Sequence, residues 1–292
     1  MKSNYSCGVD IGGSHVTSAL IEIASNTIVE GSVNRAKIDA SKSADQIVND
    51  WTTIIKQALA VVNEKKVNIG IAMPGPFDYE EGVSYIKGQH KYEALHNINV
   101  KQLLAKTLNQ SSRTITFAND AACFLQGEVA GGIAKGLENV MGLTLGTGLG
   151  SALFNNGIAE DADLWHSPFL NGIAEDYLSS RWFVNRYKQL SKKTVNDVKE
   201  MADIYYSDKH VQIVFDEFGI NLGKFIKTAI HGQEIEMVVL GGNIAQAMEL
   251  FKDGIDESIG NLASASNIKK SVLGEHAALL GAVSINFLIT SL

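Results

Sequence analysis

Two stretches, "DIGGS" (Asp10 to Ser14) and "GTGLG" (Gly146 to Gly150), place glycines and hydroxyl side chains directly after apolar runs. Without a Cβ, glycine lets backbone N–H groups approach a ligand closely, and phosphate is the usual guest of such turns. For the first stretch a plain hairpin turn is the competing reading, because Gly-Gly between two apolar runs is also a hairpin signal. The second could be taken for a dinucleotide fingerprint, but its spacing is wrong and a strand-like run, not a helix, follows it. No G-x-x-x-x-G-K-[ST] loop occurs either. Two such turns opposite each other suit the phosphates of a nucleoside triphosphate, held by a different cradle. A third stretch, Asn119-Asp120, follows the strand-like "RTITFA" and taken alone reads as a helix cap.

The elements that must position these residues are legible as periodicity. Cys7–Val9, Val16–Ile23 and Ile28–Arg35 read as short strands separated by the turn signals "DIGG" and "SNT". Ser43 to Asn63 reads as a helix: Ser43 suits an N-cap, and Ile47, Trp51, Ile54, Ile55, Ala58 and Leu59 recur at helical spacing. Val67 to Met73 is a strand that stops at Pro74-Gly75. The second half repeats the order with a helical insertion. Val140 to Leu145 and "SALFNNG" flank the second glycine turn, Ala174 to His231 is mostly helical in pattern, and "EMVVLGGN" is a strand entering a turn before a helix from about Ile244. This arrangement predicts two related α/β lobes whose glycine turns face one another across a cleft.

Composition bounds the function. The chain has 292 residues, of which 45% are hydrophobic and 20% charged, enough for one large domain or two moderate ones. Three prolines and no Gly/Ser-rich linker predict lobes in intimate association. Lys plus Arg number 25 against 32 Asp plus Glu, a net charge of −7 with no basic cluster, which disfavours nucleic-acid binding. The N-terminus lacks the apolar core of a signal peptide, and no apolar run nears the roughly 18 residues that span a bilayer, so a soluble, cytoplasmic protein with no membrane partner is expected. Cys7 and Cys123 are too few for a disulfide framework or a cysteine-based zinc site and read as buried structural thiols.

Six segments, "GVDIGGSHVTSAL", "GIAMPGPFD", "FANDAACFLQGE", "LTLGTGLGSALFNNG", "VVLGGNI" and "GEHAALLGA", occur in the order seen in the ROK family of bacterial sugar kinases and repressors, which the whole chain resembles. The resemblance implies an α/β, two-lobed actin/hexokinase-like (ribonuclease H-like) fold with an ATP and sugar cleft between the lobes. It divides the chain into an N-terminal lobe, 1–118, and a larger C-terminal lobe, 119–292, with the last helix (about 277–292) packing back on the first. It makes Asp120 the catalytic base and Asn119 a sugar ligand. An aspartate, with an unperturbed pKa of about 3.9, is already a proton acceptor at neutral pH. Asp10 matches the position that handles Mg²⁺ and phosphate, directly or through water, with Gly12, Gly13 and Ser14 as phosphate donors. Gly146, Thr147 and Gly148 match the second phosphate turn, and Gly241, Gly242 and Asn243 the adenosine end. Gly75 sits at a turn that lets backbone approach the sugar.

The sugar end departs from the family pattern. Most members carry a glutamate three residues before a histidine and then a cysteine-rich zinc segment; here the matching region, "DADLWHSPFLNGIAEDYLSSRW", has no cysteine, so zinc is not expected. His166 keeps the histidine position, Asp163 replaces the glutamate, and Glu175 matches the glutamate that ends the zinc segment; the resemblance implies that these two acceptors and the histidine bind the sugar, bracketing its ring hydroxyls and leaving the primary hydroxyl for Asp120. Shortening the carboxylate by one methylene moves its oxygens by about 1.5 Å, enough to favour a different sugar or a bridging water. A solvated loop is the alternative for Asp163 and His166.

The resemblance thus implies an ATP- and Mg²⁺-dependent hexose kinase acting on a 6-hydroxyl, most simply a glucokinase. Its rivals are an N-acetylhexosamine, mannose, fructose or allose kinase, and a sugar-binding protein without catalysis. A repressor would need a helix-turn-helix ahead of the strand that begins near Ser6. Lobe closure on the sugar, excluding water, and a homodimer or higher homo-oligomer are further expectations.

Overall fold

A computed structural model describes residues 3–62, 67–88, 91–260 and 267–291, which form two compact units, 1–135 with 275–292, and 136–274. The sequence division at 118/119 falls seventeen residues earlier, ahead of a helix whose packing belongs to the first unit.

In the first unit β1 (Tyr5–Ile11) turns through Gly12–Ser14 into β2 (His15–Glu22), and the two pair antiparallel with Asp10 opposite Thr17. The expected third strand is two short ones, β3 (Thr27–Ile28) and β4 (Asn34–Lys37), both paired with β2. Gly31, at φ +74°, and the buried Ser32 hydroxyl, which donates to the Val29 carbonyl at 2.6 Å and accepts from Leu20 N–H at 3.0 Å, break the run between them. Helix α1 (Ala44–Leu59) starts after Ser43, whose N–H donates to the Gln46 side chain at 3.2 Å, and buries Ile47, Val48, Trp51, Ile54, Ile55 and Ala58. It ends short of Asn63, which lies outside the described residues.

Beyond it come β5 (Asn68–Met73), a hairpin of β6 (Phe77–Asp78) and β7 (Val83–Ser84), α2 (Val100–Leu108), β8 (Ile115–Asn119) and α3 (Asp120–Gly131). The sheet runs β3-β2-β1-β5-β8, with β1, β5 and β8 parallel. The C-terminal helix, His276–Ser291, covers this sheet beside α3. Glycines set that approach: a Cβ on Gly8 or Gly70 would stand 2.4 Å or 2.2 Å from the carbonyl oxygens of Leu279 and Ala282, and one on Gly281 1.7 Å from that of Cys123. Cys7 and Cys123 are buried free thiols, and burial pushes the Cys7 thiol up to about 12.

In the second unit β9 (Val140–Leu145) and β10 (Leu149–Asn155) flank the second glycine turn, followed by β11 (Ile158–Asp161) and the small hairpin β12 (Pro168–Phe169) and β13 (Gly172–Ile173). The helical stretch resolves into α4 (Ala174–Tyr177), α5 (Ser180–Ser191), α6 (Val198–Asp203) and α7 (Lys209–Ala229). After β14 (Met237–Gly241), the expected helix is a 3₁₀ segment, Ile244–Leu250, kinked at Ala247, leading into α8 (Lys252–Ile259); β15 (Ile268–Lys270) completes the sheet. Its order is β11-β10-β9-β14-β15, with β9, β14 and β15 parallel. Phe183, Phe215, Phe218 and Phe251 form an aromatic core under the helices. Among the described residues no helix is long and apolar enough to cross a membrane.

Candidate active site

The first unit gathers Asp10, the Gly12–Ser14 turn, Gly75, Asn119 and Asp120. Because β1, β5 and β8 are parallel, the ends of β1 and β8 lie on one edge of the sheet, Asp10 beside Ala72 and Asn119 beside Met73. Asp10 is half-buried. Burial, and then the charge of Asp120, push its carboxyl up to about 7; Glu275 adds to this and Arg35 opposes it. Arg35 is itself paired with Glu275. Two carboxylates that repel each other beside an open glycine turn form a donor set that a divalent cation would suit.

The turn itself is held from below. Gly12 N–H donates to His15 carbonyl at 2.9 Å, and Ser14 carbonyl accepts from Ile38 N–H at 2.9 Å. The Tyr92 hydroxyl donates to Gly12 carbonyl at 2.5 Å, and its ring meets Trp51 edge-on at 5.5 Å. Gly13 and Ser14 are exposed, and a Cβ on Gly13 would meet the Lys91 side chain, 3.3 Å from its Cδ.

Asn119 caps α3, its side-chain oxygen accepting from Ala122 N–H at 3.0 Å while its amide donates to the Tyr79 hydroxyl at 3.4 Å. Tyr79 in turn donates to Met73 carbonyl at 3.1 Å, and a Cβ on Gly75 would stand 3.4 Å from that hydroxyl. The cap reading of Asn119 and its place beside Asp120 are therefore compatible: the cap aims the first turn of α3. Asp120 Oδ1 accepts from the Ala121 N–H at 2.9 Å.

The second unit brings its two glycine turns together. Since β9 and β14 are parallel neighbours, with Gly241 opposite Thr144, the Gly241–Asn243 turn lies against Leu145. Gly242 is at φ +82°, and a Cβ there would stand 2.3 Å from the Leu145 carbonyl oxygen. The Gly146 carbonyl accepts from both the N–H and the hydroxyl of Ser180, at 2.8 and 2.9 Å. Glu175 Oε2 accepts from Leu149 N–H at 3.1 Å, and its Oε1 pairs with Arg181 at 3.0 Å. Thr147 is exposed at the turn's tip.

Asp163 and His166 bracket a 3₁₀ turn, Leu164–His166, and both are exposed. Asp163 is at φ +50°; its Oδ1 accepts from the Trp165 indole at 2.8 Å and stands 3.5 Å from His166 Nδ1. Ala174 N–H donates to Ser167 carbonyl at 2.9 Å, which ties this turn to α4 and so to Glu175. Among the described residues no three His, Cys, Asp or Glu side chains form a metal-binding group. Tyr79, Tyr92, Ser180 and Arg181 join the site only in three dimensions; no local spacing marks them.

These two α/β units, each carrying glycine turns on strand ends, have the actin/hexokinase-like fold. The ROK glucokinase of Streptomyces griseus, solved in complex with glucose and AMPPNP, superposes with a TM-score of 0.79 over 96% of this chain and 98% of its own, at 19% identity. The ROK family profile matches residues 6–161 and 170–287, and the chain belongs to that family. Asp163 and His166 fall in the interval the profile leaves unmatched. The glucokinase of Thermotoga maritima is 25% identical over 313 residues, covering 95% of this chain and 96% of that protein. The N-acetyl-D-glucosamine kinase of Histophilus somni is 24% identical over 315 residues, covering 95% and 97%.

Proposed function

We propose that the chain is an ATP-dependent sugar kinase that transfers the terminal phosphoryl group of ATP to the 6-hydroxyl of a hexose, glucose first. The observation that carries this reading is the placement on one sheet edge of the Asp10 end of β1, which runs into an open turn suited to phosphate, and of the β8 end that leads into Asp120, a proton acceptor. The names of the relatives, a glucokinase and an N-acetyl-D-glucosamine kinase, support the reaction class and leave the sugar to experiment.

In this reaction Asn119, the backbone at Gly75, Asp163 and His166 orient the sugar. Asp120 takes the proton of the 6-hydroxyl as its oxygen attacks the γ-phosphorus; the new O–P bond forms while the bond from phosphorus to the β,γ-bridging oxygen breaks, and ADP leaves. The N–H groups and hydroxyl of Gly12–Ser14, and those of Gly146–Gly148, hold phosphate oxygens, and Gly241–Asn243 borders the adenosine. Mg²⁺, when bound, neutralises phosphate charge, and Asp10 is the residue that would hold it, directly or through water. Glu175 is engaged with Leu149 and Arg181, so its role here is to brace the second phosphate turn. Expression in the cytoplasm and a homo-oligomeric state remain part of this reading.

ADP release from Mg·ATP with glucose, N-acetylglucosamine, N-acetylmannosamine, mannose, fructose and allose tests the proposal. Turnover stimulated by one sugar identifies the substrate; an N-acetylhexosamine would replace glucose in it. Absence of stimulation by every sugar would contradict the kinase reading and favour a sugar-binding protein.

A further inference from the structure

The segment that anchors the first glycine turn also carries a cation to it. Tyr92 is fully buried and adopts φ +58°, a left-handed conformation that is unusual for an aromatic residue. Three contacts hold it there: its N–H donates to the Ala40 carbonyl at 2.9 Å, its hydroxyl to the Gly12 carbonyl at 2.5 Å, and its ring packs on Trp51. Burial keeps the phenol protonated by pushing its pKa up, so the hydroxyl remains a donor. The residue before it, Lys91, is thereby laid along Gly13. A Cβ built on Gly13 would stand 3.3 Å from Lys91 Cδ and 3.5 Å from its Nζ.

Among the described residues the Lys91 ammonium has no hydrogen-bond or ion-pair partner, whereas Arg35, the cation that acts on Asp10, is tied to Glu275. A phosphate approaching this turn meets two carboxylates, Asp10 and Asp120, that repel it. An unpaired ammonium at the exposed glycine offsets that repulsion and adds rotatable donors to the backbone N–H groups.

We propose that Lys91 is a phosphate-binding residue of the Gly12–Ser14 turn and that its ligand is the terminal phosphoryl group of a nucleoside triphosphate. This rests on reading the turn as a phosphate site. The terminal group is the one assigned because the turn follows the Asp10 end of β1, on the same sheet edge as the β8 end that leads into Asp120, the base that takes the proton of the attacking hydroxyl.

Calorimetric binding of Mg·AMPPNP and of Mg·ADP to wild type, Lys91→Met and Lys91→Arg tests this. Lys91→Met should weaken AMPPNP at least tenfold and ADP less than twofold, and Lys91→Arg should restore AMPPNP to within about threefold. A merely structural lysine would not separate the two nucleotides. Equal AMPPNP affinity in wild type and Lys91→Met would overturn the role of Lys91. Equal weakening of both nucleotides would overturn the assignment to the terminal group. If wild type binds neither nucleotide, the phosphate reading of the turn fails, and this inference with it.

Discussion

The Oε2 atom of Glu175 accepts the backbone N–H of Leu149 at 3.1 Å and occupies the place that a side chain on Gly148 would need, 2.4 Å from its Cβ. The carboxylate therefore fixes the exit of the second glycine turn, and Arg181 fixes the carboxylate. A charge-assisted hydrogen bond of this kind contributes about 1.5–3 kcal/mol.

Glu175→Ala is expected to raise the KM for ATP about tenfold, the equivalent of about 1.4 kcal/mol, with a smaller change in the KM for sugar. Steady-state kinetics with each substrate varied in turn decides this. The opposite split, with sugar KM rising and ATP KM unchanged, would make Glu175 a sugar acceptor instead.

Asp10 links stability to pH. Its carboxyl titrates near 7 in the folded chain because of burial and of Asp120, against about 3.9 when unfolded. Between these values the folded chain keeps a proton that the unfolded chain has released, so stability falls as pH rises. The contribution is complete below about pH 4 and lost above about pH 7. In buffer with a chelator, the Tm of wild type should fall from pH 5 to pH 8 more steeply than that of Asp10→Asn. Parallel curves would remove Asp10 as the source.

The C-terminal helix approaches α3 so closely that Gly281 admits no Cβ, which would lie 1.7 Å from the Cys123 carbonyl oxygen. Gly281→Ala must push the helices apart, at a cost of about 1–3 kcal/mol or more. Thermal unfolding should show a Tm lower by roughly 5 °C. An unchanged Tm would mean that the helix is not packed in this way.

Strands flanking glycine turns were legible because burial on both faces writes itself as an unbroken apolar run: Val140–Leu145 is β9 to the residue. Helix α1 was legible from its apolar stripe and from Ser43. The break at Gly31-Ser32 was hidden inside the strand-like stretch Ile28–Arg35, since it depends on a buried hydroxyl bridging back to Leu20 and Val29. Among site residues, those on turns between strands had local signatures. Lys91, Tyr92 and Arg181 had none, because what marks them is packing against glycines 78, 80 and 33 positions away: Gly12 for Tyr92 is fixed by one long-range hydrogen bond, Gly13 for Lys91 by a missing Cβ, and Gly148 for Arg181 through Glu175.

The central claim is that Asp120 is the base of a phosphoryl transfer to sugar. ADP release from Mg·ATP, measured with the best sugar of the panel for wild type and Asp120→Asn, tests it most directly. Loss of positioned base catalysis should lower kcat by about 10²–10⁴-fold, with the KM for ATP and the Tm nearly unchanged. Sugar-dependent turnover in Asp120→Asn within a few fold of wild type would contradict the account.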